Sequence, residues 1–595
     1  KKTATKADIF SKRTIRPYAV ATHTDDAFEA LQISMNERGK VDIAYTEELT
    51  GKDYDTVIAE LGQSVFRNPM EVNPEDKYSG FELAEKYLSG NVGRKLVEAK
   101  EAVREYPELG YAGNVEALEE VQPVPLTASE ISVRVGASWV DKKYYLEFLS
   151  ELLNIPYYYA RGLEIYYNPH DSSYRIDKTT GDMKRYRTQR MAMFGTARAS
   201  VFRLFEDCLN LRATSIYDTI QTDDGEKRVL NHEETVAARE KQNQLKTLFQ
   251  DWIFEEPERR EELEATYNSL FNQTRIPAYD GSYLKFPEMN PAIELKPHQK
   301  NAVHRIITSG NTLLHHVVGA GKTYTICAAA MKLRQYGLAK KPMIAVPNHL
   351  VQQWAKEFRQ LYPRANLLIA TKEDLEKENR QRFVSKVALG DWDAVIIAQS
   401  SFAKIPISPE RQIAKIEEEI EKIEETIQAQ IEEGNGTRGA IKNLERIKKS
   451  RETALKKLMD DTKKDNVLIF EKLGVDYLFI DEAHYYKNLF LYTKMNNVAG
   501  VSTTASQRAS DLKLKCEYIN ELHGSDKGVV FATGTPISNS MTEMYTMQTY
   551  LQKLTLDEVG IPFFDSWAAN FGETITSLEL APSGRGYKAK TRFAK

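Results

Sequence analysis

The chain has 595 residues, a formal net charge of −4 and a pI near 6.3, with 42% hydrophobic and 28% charged residues. This length suits about three or four domains, each with its own core. No apolar run is long enough to cross a bilayer, which excludes a membrane-spanning protein. The near-neutral charge excludes a globally basic nucleic-acid coat, so any DNA contact must come from a local patch or groove.

Three scattered cysteines, Cys208, Cys327 and Cys516, are the only ones in the sequence. Their spacing excludes a paired zinc site and a disulfide framework, and it suits a reducing cytoplasm, where we place the protein. The chain starts without methionine and without a signal pattern, and we expect it to be part of a longer protein.

Residues 1–125 are predicted to form a mixed α/β accessory region. The apolar spacing favours a helix over 26–33, a strand over 41–45, and two short helices within 47–61 that are hinged at Gly51. A hinged helix pair can read DNA, but it is more often a packing unit, and we favour packing.

Residues 126–290 are predicted to pass from α/β to helical structure, with a domain boundary in the proline-rich stretch that ends at Pro291. A capping-box pattern at Thr127–Glu130 predicts a helix start, and a second helix is expected over 141–153. A β-hairpin is expected from residues 163–177, and long helices from 231–272.

Basic and aromatic residues alternate most densely just after the predicted hairpin, at Lys184, Arg185, Tyr186 and Arg187. Basic side chains hold phosphates and tyrosine stacks on bases, so these three cations are candidate DNA contacts. A solvated surface run explains the same string equally well.

A glycine-rich loop follows the apolar run at 313–318 and precedes a predicted helix. The strand, loop and helix order is typical of a phosphate cradle, in which Gly319 and Gly321 let backbone N–H groups approach the phosphates. Lys322 would bind the outer phosphates and Thr323 would bind Mg²⁺. The full loop pattern has glycine where this chain has His316.

A second apolar run, residues 477–480, ends in a pair of carboxylates. Asp481 is predicted to hold Mg²⁺, and Glu482 to orient and deprotonate the attacking water. Upstream of the glycine loop, the amide of Gln299 could recognise an adenine edge by donating and accepting together. The predicted cofactors are therefore ATP and Mg²⁺, with Lys322, Asp481 and Glu482 as catalytic residues.

Six short apolar strands alternate with helices across residues 291–595 and predict an α/β fold with a doubly wound parallel sheet. Residues 408–462 interrupt this pattern. They are predicted to form an antiparallel helical hairpin with an acidic outgoing arm and a basic return arm. We favour a passive hairpin over a prong that contacts DNA or a partner.

Five motifs occur in an order that resembles the first motor lobe of Swi/Snf-type superfamily-two DNA-dependent ATPases, a RecA-like lobe. They are Leu295–Gln299, Gly319–Thr323, Val346–Leu350 with Trp354, Asp481–Asn488, and Thr533–Asn539. The whole chain, including Leu88–Val92 and Leu126–Ile131, also resembles the helicase and adenine-methyltransferase fusion proteins of bacterial mobile elements and phages.

The resemblance implies a translocase that acts on double-stranded DNA. It implies that His484, Thr533 and Thr535 couple the nucleotide state to DNA. It also implies that Asn348, His349 and Ser400 contact the DNA backbone.

A second motor lobe is expected beyond Lys595 and a methyltransferase domain upstream, so we expect slow turnover from this chain alone. An arginine from the facing lobe is normally worth about 10³- to 10⁵-fold. Two alternatives stay open. One is a module that binds DNA or a partner and has a regulatory or inactive nucleotide site, and the other is an RNA helicase.

Overall fold

A computed structural model describes residues 22–168, 173–178, 183, 186–222, 225–376, 378–432, 438–461, 469–489, 493, 498–499, 506–538, 540–580 and 587–594. The largest unit is a parallel sheet with helices on both faces, and smaller groups of helices and hairpins precede it along the chain.

The N-terminal accessory region consists of short helices and strands. Its elements are α1 (Ala27–Glu37), α2 (Ile43–Thr50), α3 (Tyr54–Leu61), β1 (Val65–Arg67), β2 (Phe81–Leu83), α4 (Ala84–Tyr87), β3 (Gly90–Asn91), α5 (Val92–Glu105) and α6 (Ala112–Glu120). β1 and β2 pair antiparallel.

Aspartates begin the first three helices. Asp26, Asp42 and Asp53 each accept a hydrogen bond from a backbone N–H in the first turn of their helix. The predicted strand over 41–45 is therefore wrong, because Asp42 caps α2. The predicted hinge is confirmed, since Gly51 ends α2 with a φ of +66°.

The second accessory region packs around an aromatic core that includes Tyr145, Phe148 and Phe249. Its elements are α7 (Lys142–Leu152), α8 (Tyr157–Ala160), β4 (Glu164–Asn168), β5 (Ser173–Asp177), α9 (Gln189–Phe194), α10 (Val201–Leu209), β6 (Tyr217–Thr222), β7 (Gly225–Leu230), α11 (His232–Trp252), α12 (Pro257–Phe271) and β8 (Thr274–Arg275).

The capping-box pattern at Thr127 does not begin a helix. The Thr127 hydroxyl donates to Glu130 Oε2 at 2.8 Å, but residues 127–140, all of them described, are turns and extended chain. The helix predicted over 141–153 is confirmed as α7. The predicted hairpin is also confirmed, with Ile165 of β4 opposite Ile176 of β5.

The sheet lies in the C-terminal half. Its strands and their neighbours are α13 (Pro297–Thr308), β9 (Thr312–Leu314), α14 (Lys322–Gln335), β10 (Pro342–Val346), α15 (Val351–Leu361), β11 (Leu367–Ile369), α16 (Arg380–Leu389), β12 (Ala394–Ala398), α17 (Gln399–Phe402), α18 (Pro409–Glu432), α19 (Arg438–Asp461), β13 (Tyr477–Asp481), β14 (Val498–Ala499), α20 (Gln507–His523), β15 (Val529–Ala532), α21 (Thr542–Leu551), α22 (Lys553–Glu558), α23 (Phe564–Phe571), β16 (Glu573–Leu580) and β17 (Tyr587–Ala594).

Six of these strands form one sheet in the order β11, β12, β10, β13, β15 and β9, and every neighbouring pair in it is parallel. The four central strands are buried along their full length, because apolar clusters cover both faces of the sheet. The predicted α/β fold with a doubly wound, RecA-like sheet is confirmed.

The predicted helical hairpin is α18 and α19, which lie between β12 and β13 along the chain. Lys448 pairs with Glu424 at 2.8 Å and Arg451 with Glu419 at 3.2 Å, so the basic return arm faces the acidic outgoing arm. The antiparallel arrangement is therefore the one that the charge pattern predicted.

The N-terminal region joins the sheet domain at α13 and α14. Asn36 Nδ2 donates to the Tyr283 carbonyl at 2.9 Å, and Gln335 Nε2 donates to the Asn36 carbonyl at 3.1 Å. The buried His304 of α13 contacts the carboxylate of Glu85. These contacts fix α1 and α4 against the helices that flank β9.

The second accessory region joins the sheet domain through α23 and the residue after it. Arg134 Nη1 donates to the Gly572 carbonyl at 2.7 Å. Leu211 lies in an apolar cluster with Phe564 and Trp567.

Candidate nucleotide-binding site

Three adjacent strands, β9, β15 and β13, end at one edge of the sheet. The loop after β9 leads to Lys322, β15 leads to Thr533, and β13 ends in Asp481. Because neighbouring parallel strands point the same way, their carboxyl ends bring these side chains to one crevice. Thr533 lies between the basic loop and the carboxylates.

The loop after β9 has the backbone of a phosphate cradle. Gly319 and Gly321 have φ values of +86° and +83°, a region that favours glycine. α14 begins at Lys322, so its first N–H groups face the loop. Lys322 Nζ donates to the His316 carbonyl at 3.0 Å.

Two residues at the start of α13 contact backbone carbonyls of the glycine loop and hold it in place. His298 Nε2 lies 2.9 Å from the Ala320 carbonyl, and Gln299 Nε2 donates to the Gly321 carbonyl at 3.0 Å. Gln299 Oε1 accepts from the Lys296 N–H at 2.8 Å, and the residue is only 4% exposed. Its contacts position the loop, and its role toward adenine stays a prediction.

His316 stands where the full loop pattern has glycine. Its ring is half-buried and meets the His298 ring edge to face, with centroids 5.6 Å apart. Burial lowers the pKa of His316, and the neighbouring His298 and Lys322 lower it further. A neutral imidazole beside Lys322 leaves the positive charge of the loop to the lysine.

Asp481 is almost completely buried at the end of β13, where Trp354 Nε1 donates to its Oδ2 at 3.2 Å. Burial raises the pKa of Asp481 to about 6, and the neighbouring charge of Glu482 adds to the increase. A buried carboxylate with a single side-chain donor gains most from a cation that approaches it.

Glu482 has a left-handed backbone with a φ of +51°. Such a conformation costs a residue other than glycine about 1–3 kcal/mol and persists only where the surroundings enforce it. Gln399 Nε2 donates to the Asp481 carbonyl at 2.7 Å and so holds the turn. Arg508 Nη2 in turn donates to Gln399 Oε1 at 3.1 Å.

A series of close contacts leads from Glu482 across to β15. His484 Nδ1 lies 3.1 Å from Glu482 Oε2 and 3.0 Å from the Thr533 hydroxyl. The same hydroxyl accepts from the Thr535 N–H at 3.1 Å. His484 therefore contacts both Glu482 and Thr533, and Thr535 joins these residues through Thr533.

The ends of the motifs that begin at Asp481 and Thr533 also contact each other. Lys487 Nζ pairs with Glu543 Oε1 at 2.9 Å and contacts the Ser538 hydroxyl. The Ser538 N–H donates to the second oxygen of Glu543 at 2.6 Å. Glu543, which the sequence analysis missed, therefore joins the segments that follow Asp481 and Thr533.

The candidate DNA contacts fall into two groups. The Ser400 N–H donates to Asn348 Oδ1 at 3.2 Å, and both residues are exposed, as is His349. Arg187 lies in the second accessory region, away from this edge, while Lys184 and Arg185 are outside the described residues.

The donor set fits Mg²⁺, because the Thr323 hydroxyl and the buried Asp481 carboxylate are hard oxygen ligands. Within the described part of the chain there is no cluster of three or more His, Cys, Asp or Glu side chains that could hold a metal. A cation here would therefore complete its shell with water and phosphate oxygens, as Mg²⁺ usually does.

Trp354, Gln399 and Arg508 also belong to this site, although the sequence analysis gave them no role in it. Trp354 belongs to the motif that begins at Val346. Its place in α15, the helix that follows β10, could have predicted that it lies near the carboxyl edge. Gln399 and Arg508 are 109 positions apart, and no local pattern connects them.

Family models match three segments of the chain. Residues 305–594 match a probable helicase domain, residues 23–78 a winged helix domain of a probable helicase, and residues 134–273 a domain of unknown function. The segment that contains the six-stranded sheet is therefore similar to helicase domains.

Two curated relatives give sequence matches. Defense against restriction protein B of Escherichia phage P1 is 23% identical over 591 residues, 89% of this chain and 25% of the phage protein. The uncharacterized ATP-dependent helicase YqhH of Bacillus subtilis is 32% identical over 143 residues, 23% of this chain and 22% of that protein. The chain spans about a quarter of the length of the relatives it matches.

Among solved structures, the SWI2/SNF2 ATPase core of Sulfolobus solfataricus in complex with dsDNA matches with 15% identity and a TM-score of 0.25. The match covers 47% of this chain and 40% of that one. In the described part of the chain, no helix is both long and apolar enough to cross a membrane.

The winged helix match covers the hinged helices α2 and α3, which were interpreted as a packing unit. Residues 23–78 contain thirteen acidic and five basic residues, a net charge of −8, and α3 has no basic residue. A surface of this charge repels phosphates. The segment is similar to a winged helix domain, and its charge favours packing over DNA recognition.

Proposed function

We propose that this chain binds Mg²⁺-ATP at the carboxyl edge of its sheet and hydrolyses it to drive movement on double-stranded DNA. The supporting observation is the delivery of Lys322, Thr533 and the Asp481–Glu482 pair to one crevice by adjacent strands. Phosphoryl transfer needs such an arrangement of cation, oxygen ligands and a base around one point.

Each side chain has a separate task in this proposal. Lys322 would leave the His316 carbonyl for the outer phosphates, while the loop N–H groups bind the remaining phosphate oxygens. Thr323 and Asp481 would hold Mg²⁺, which neutralises phosphate charge when bound. Glu482 would orient the attacking water and accept its proton.

The contact between Glu482 and His484 gives the base a direct connection to β15. A change in the charge of Glu482 would alter the hydrogen bond from His484, and through Thr533 it would reach the segment that contains Thr535 and Ser538. We assign this series of contacts, from Glu482 through His484 and Thr533 to Thr535, to coupling between the nucleotide and DNA. Asn348, His349 and Ser400, exposed on the same edge, are the proposed DNA backbone contacts.

The decisive experiment compares hydrolysis and binding in Glu482→Gln. We expect ATP binding to persist and single-turnover hydrolysis to fall by about 10²- to 10⁴-fold, since general base catalysis is lost. Glu373→Gln, the same change at an exposed glutamate after β11, should retain full activity. Undiminished hydrolysis in Glu482→Gln would contradict the proposal.

DNA dependence is measured in the same assay by adding duplex DNA or structured RNA. Stimulation by duplex DNA supports the translocase. Preferential stimulation by RNA would point to an RNA helicase. ATP binding with no turnover under either condition would favour a regulatory nucleotide site.

A further inference from the structure

The second accessory region has an exposed surface of tyrosines and arginines, here called the tyrosine surface, made of Tyr157, Tyr158, Arg161, Arg187 and Arg190. Tyr157 is 77% and Tyr158 67% exposed, and the three arginines are exposed as well. The residues come from α8, α9 and the chain beside these helices.

Two segments that are distant in sequence form this surface together. The rings of Tyr159 and Tyr186 stack with centroids 4.3 Å apart and an interplanar angle of 28°. Arg190 Nη1 donates to the Leu152 carbonyl at 3.0 Å. α9 is therefore held against the end of α7 and against α8.

The charge of the tyrosine surface is uniform. Residues 152–163 and 186–203 together contain five arginines and no aspartate or glutamate. Arg161 lies 5.0 Å from the centre of the Tyr157 ring, so the cation and the aromatic face are presented side by side. Exposed aromatic rings beside exposed arginines match a ligand with flat apolar faces and regularly spaced negative charges.

We propose that the tyrosine surface binds single-stranded DNA. Bases would stack on Tyr157 and Tyr158, while Arg161, Arg187 and Arg190 would bind the phosphates. Stacking requires free base faces, which a duplex buries between its own base pairs, so the surface selects an unpaired strand. The choice of DNA over RNA rests on the proposed function, whereas the stacking and charge arguments do not.

The position of this surface gives the binding a use. Its region is attached to α23 through Leu211 and Arg134, so a strand bound there keeps a fixed place relative to the motor sheet. An unpaired strand held beside a moving motor resists re-annealing behind it. The tyrosine surface would then hold one DNA strand while the motor moves along the duplex.

The test measures binding of a labelled oligothymidylate of about 15 nucleotides by fluorescence anisotropy, with unlabelled duplex as competitor. We expect Tyr157→Ala with Tyr158→Ala to weaken binding by about 10- to 100-fold. Tyr157→Phe with Tyr158→Phe keeps both rings and should bind like the unaltered chain. Arg161→Gln with Arg187→Gln should lower the salt dependence by about one unit of slope.

Tyr217→Ala is the matched control, because Tyr217 is also exposed and also lies beside an arginine, with Arg228 5.1 Å from its ring. Equal weakening in this control, or unchanged affinity in the double alanine variant, would overturn the proposal. So would stronger competition by duplex than by single strand. Melting temperatures of all variants report any loss of folding.

Lys322→Ala separates this inference from the proposed function. Single-strand binding that persists in Lys322→Ala and depends on the two tyrosines supports the surface, whatever the motor does. Undiminished hydrolysis in Lys322→Ala, with strand binding intact, would contradict only the nucleotide site.

Discussion

The two edges of the six-stranded sheet differ in how their polar groups are partnered. At the carboxyl edge, Glu482, His484 and Thr533 contact one another, and each belongs to a short sequence motif. At the opposite edge, Gln335 donates to Asn36, 299 positions away, and no motif marks either residue.

Both edges nevertheless use the same two helices. α13 holds the glycine loop with His298 and Gln299 and reaches Glu85 of the N-terminal region with His304. α14 begins at Lys322 and contacts that region near its other end, at Gln335. The comparison shows that the accessory region is attached to the elements that set the geometry of the phosphate loop.

Each edge also contains a buried ionisable group whose pKa is moved toward neutrality. Burial raises the pKa of Asp481 to about 6 and lowers that of Lys332, on α14, to about 7. Asp481 lies where a cation would offset its cost, whereas the Lys332 amine donates only to the Tyr336 hydroxyl at 3.1 Å among the contacts described for it. The proposed site uses the buried Asp481, whereas it gives the buried Lys332 no role.

The largest expected effect is a difference in ATP affinity between alanine substitutions at two glycines of the loop after β9. In Gly321→Ala, the new Cβ would lie 2.4 Å from Gln299 Nε2, while in Gly319→Ala no atom lies within 4 Å. Both changes strain a backbone with positive φ, at a cost of about 1–3 kcal/mol. We expect Gly321→Ala to weaken ATP binding at least about tenfold more than Gly319→Ala, as measured by titration with a fluorescent nucleotide.

The result for Gly321→Ala also tests the link between α13 and the loop. If Gln299→Ala in the same chain restores part of the lost affinity, the clash with Gln299 is the cause. Equal affinities for the two glycine variants would show that α13 does not constrain the loop.

Much of the carboxyl edge could be predicted, because its residues follow strands directly. The runs that end at Asp481 and Ala532 are continuous apolar strands, and parallel strands bring their ends together whatever their order along the chain. The three coupling residues were assigned by family resemblance, and the geometry that joins them is a product of the fold. Their roles stay predictions.

Two predicted elements, the strand over 41–45 and the helix start at Thr127, were wrong, and both involve local side-chain hydrogen bonds. Residues 41–45 alternate apolar and polar side chains like a strand, but Asp42 satisfies the first turn of α2 and decides for a helix. At Thr127 a helix was predicted and none forms, although the side chains of Thr127 and Glu130 make the contact expected of a capping box. Contacts such as Asn36 with Gln335, or Gln399 with Arg508, depend on tertiary structure and leave no trace in local spacing.

A smaller effect is expected where the N-terminal region meets α14. In Gly39→Ala the new Cβ would lie 2.6 Å from Tyr336 Cγ, whereas in Gly51→Ala it would meet nothing within 4 Å. The two glycines have nearly equal φ values, +68° and +66°, so the backbone strain cancels between the variants. We expect Gly39→Ala to lower the free energy of unfolding by about 1–3 kcal/mol more, the usual cost of overpacking.

Denaturant unfolding of both glycine variants measures that difference. Combining Gly39→Ala with Tyr336→Ala should recover part of the loss, since the clashing ring is removed. Equal stabilities of Gly39→Ala and Gly51→Ala would mean that the accessory region and α14 are not packed tightly together.

The smallest effect concerns Lys332, which is 1% exposed. Its pKa falls from the usual 10.5 to about 7 because burial disfavours the charged amine. Between these two values the unfolded chain binds a proton that the folded chain does not, so stability rises with pH from about 7 to 10.5. Below pH 7 both states are protonated, and the full cost of burying the charge remains.

Lys332→Met removes this cost, so it should raise the free energy of unfolding at pH 7, because the cost of burying the charge exceeds the roughly 1 kcal/mol contributed by the hydrogen bond to Tyr336. It should also flatten the rise in stability between pH 7 and 10. Lys340→Met, at an exposed position on the same side of the sheet, should leave both unchanged. Urea unfolding at several pH values distinguishes them, and an unaltered pH slope in Lys332→Met would mean that the amine is not buried as described.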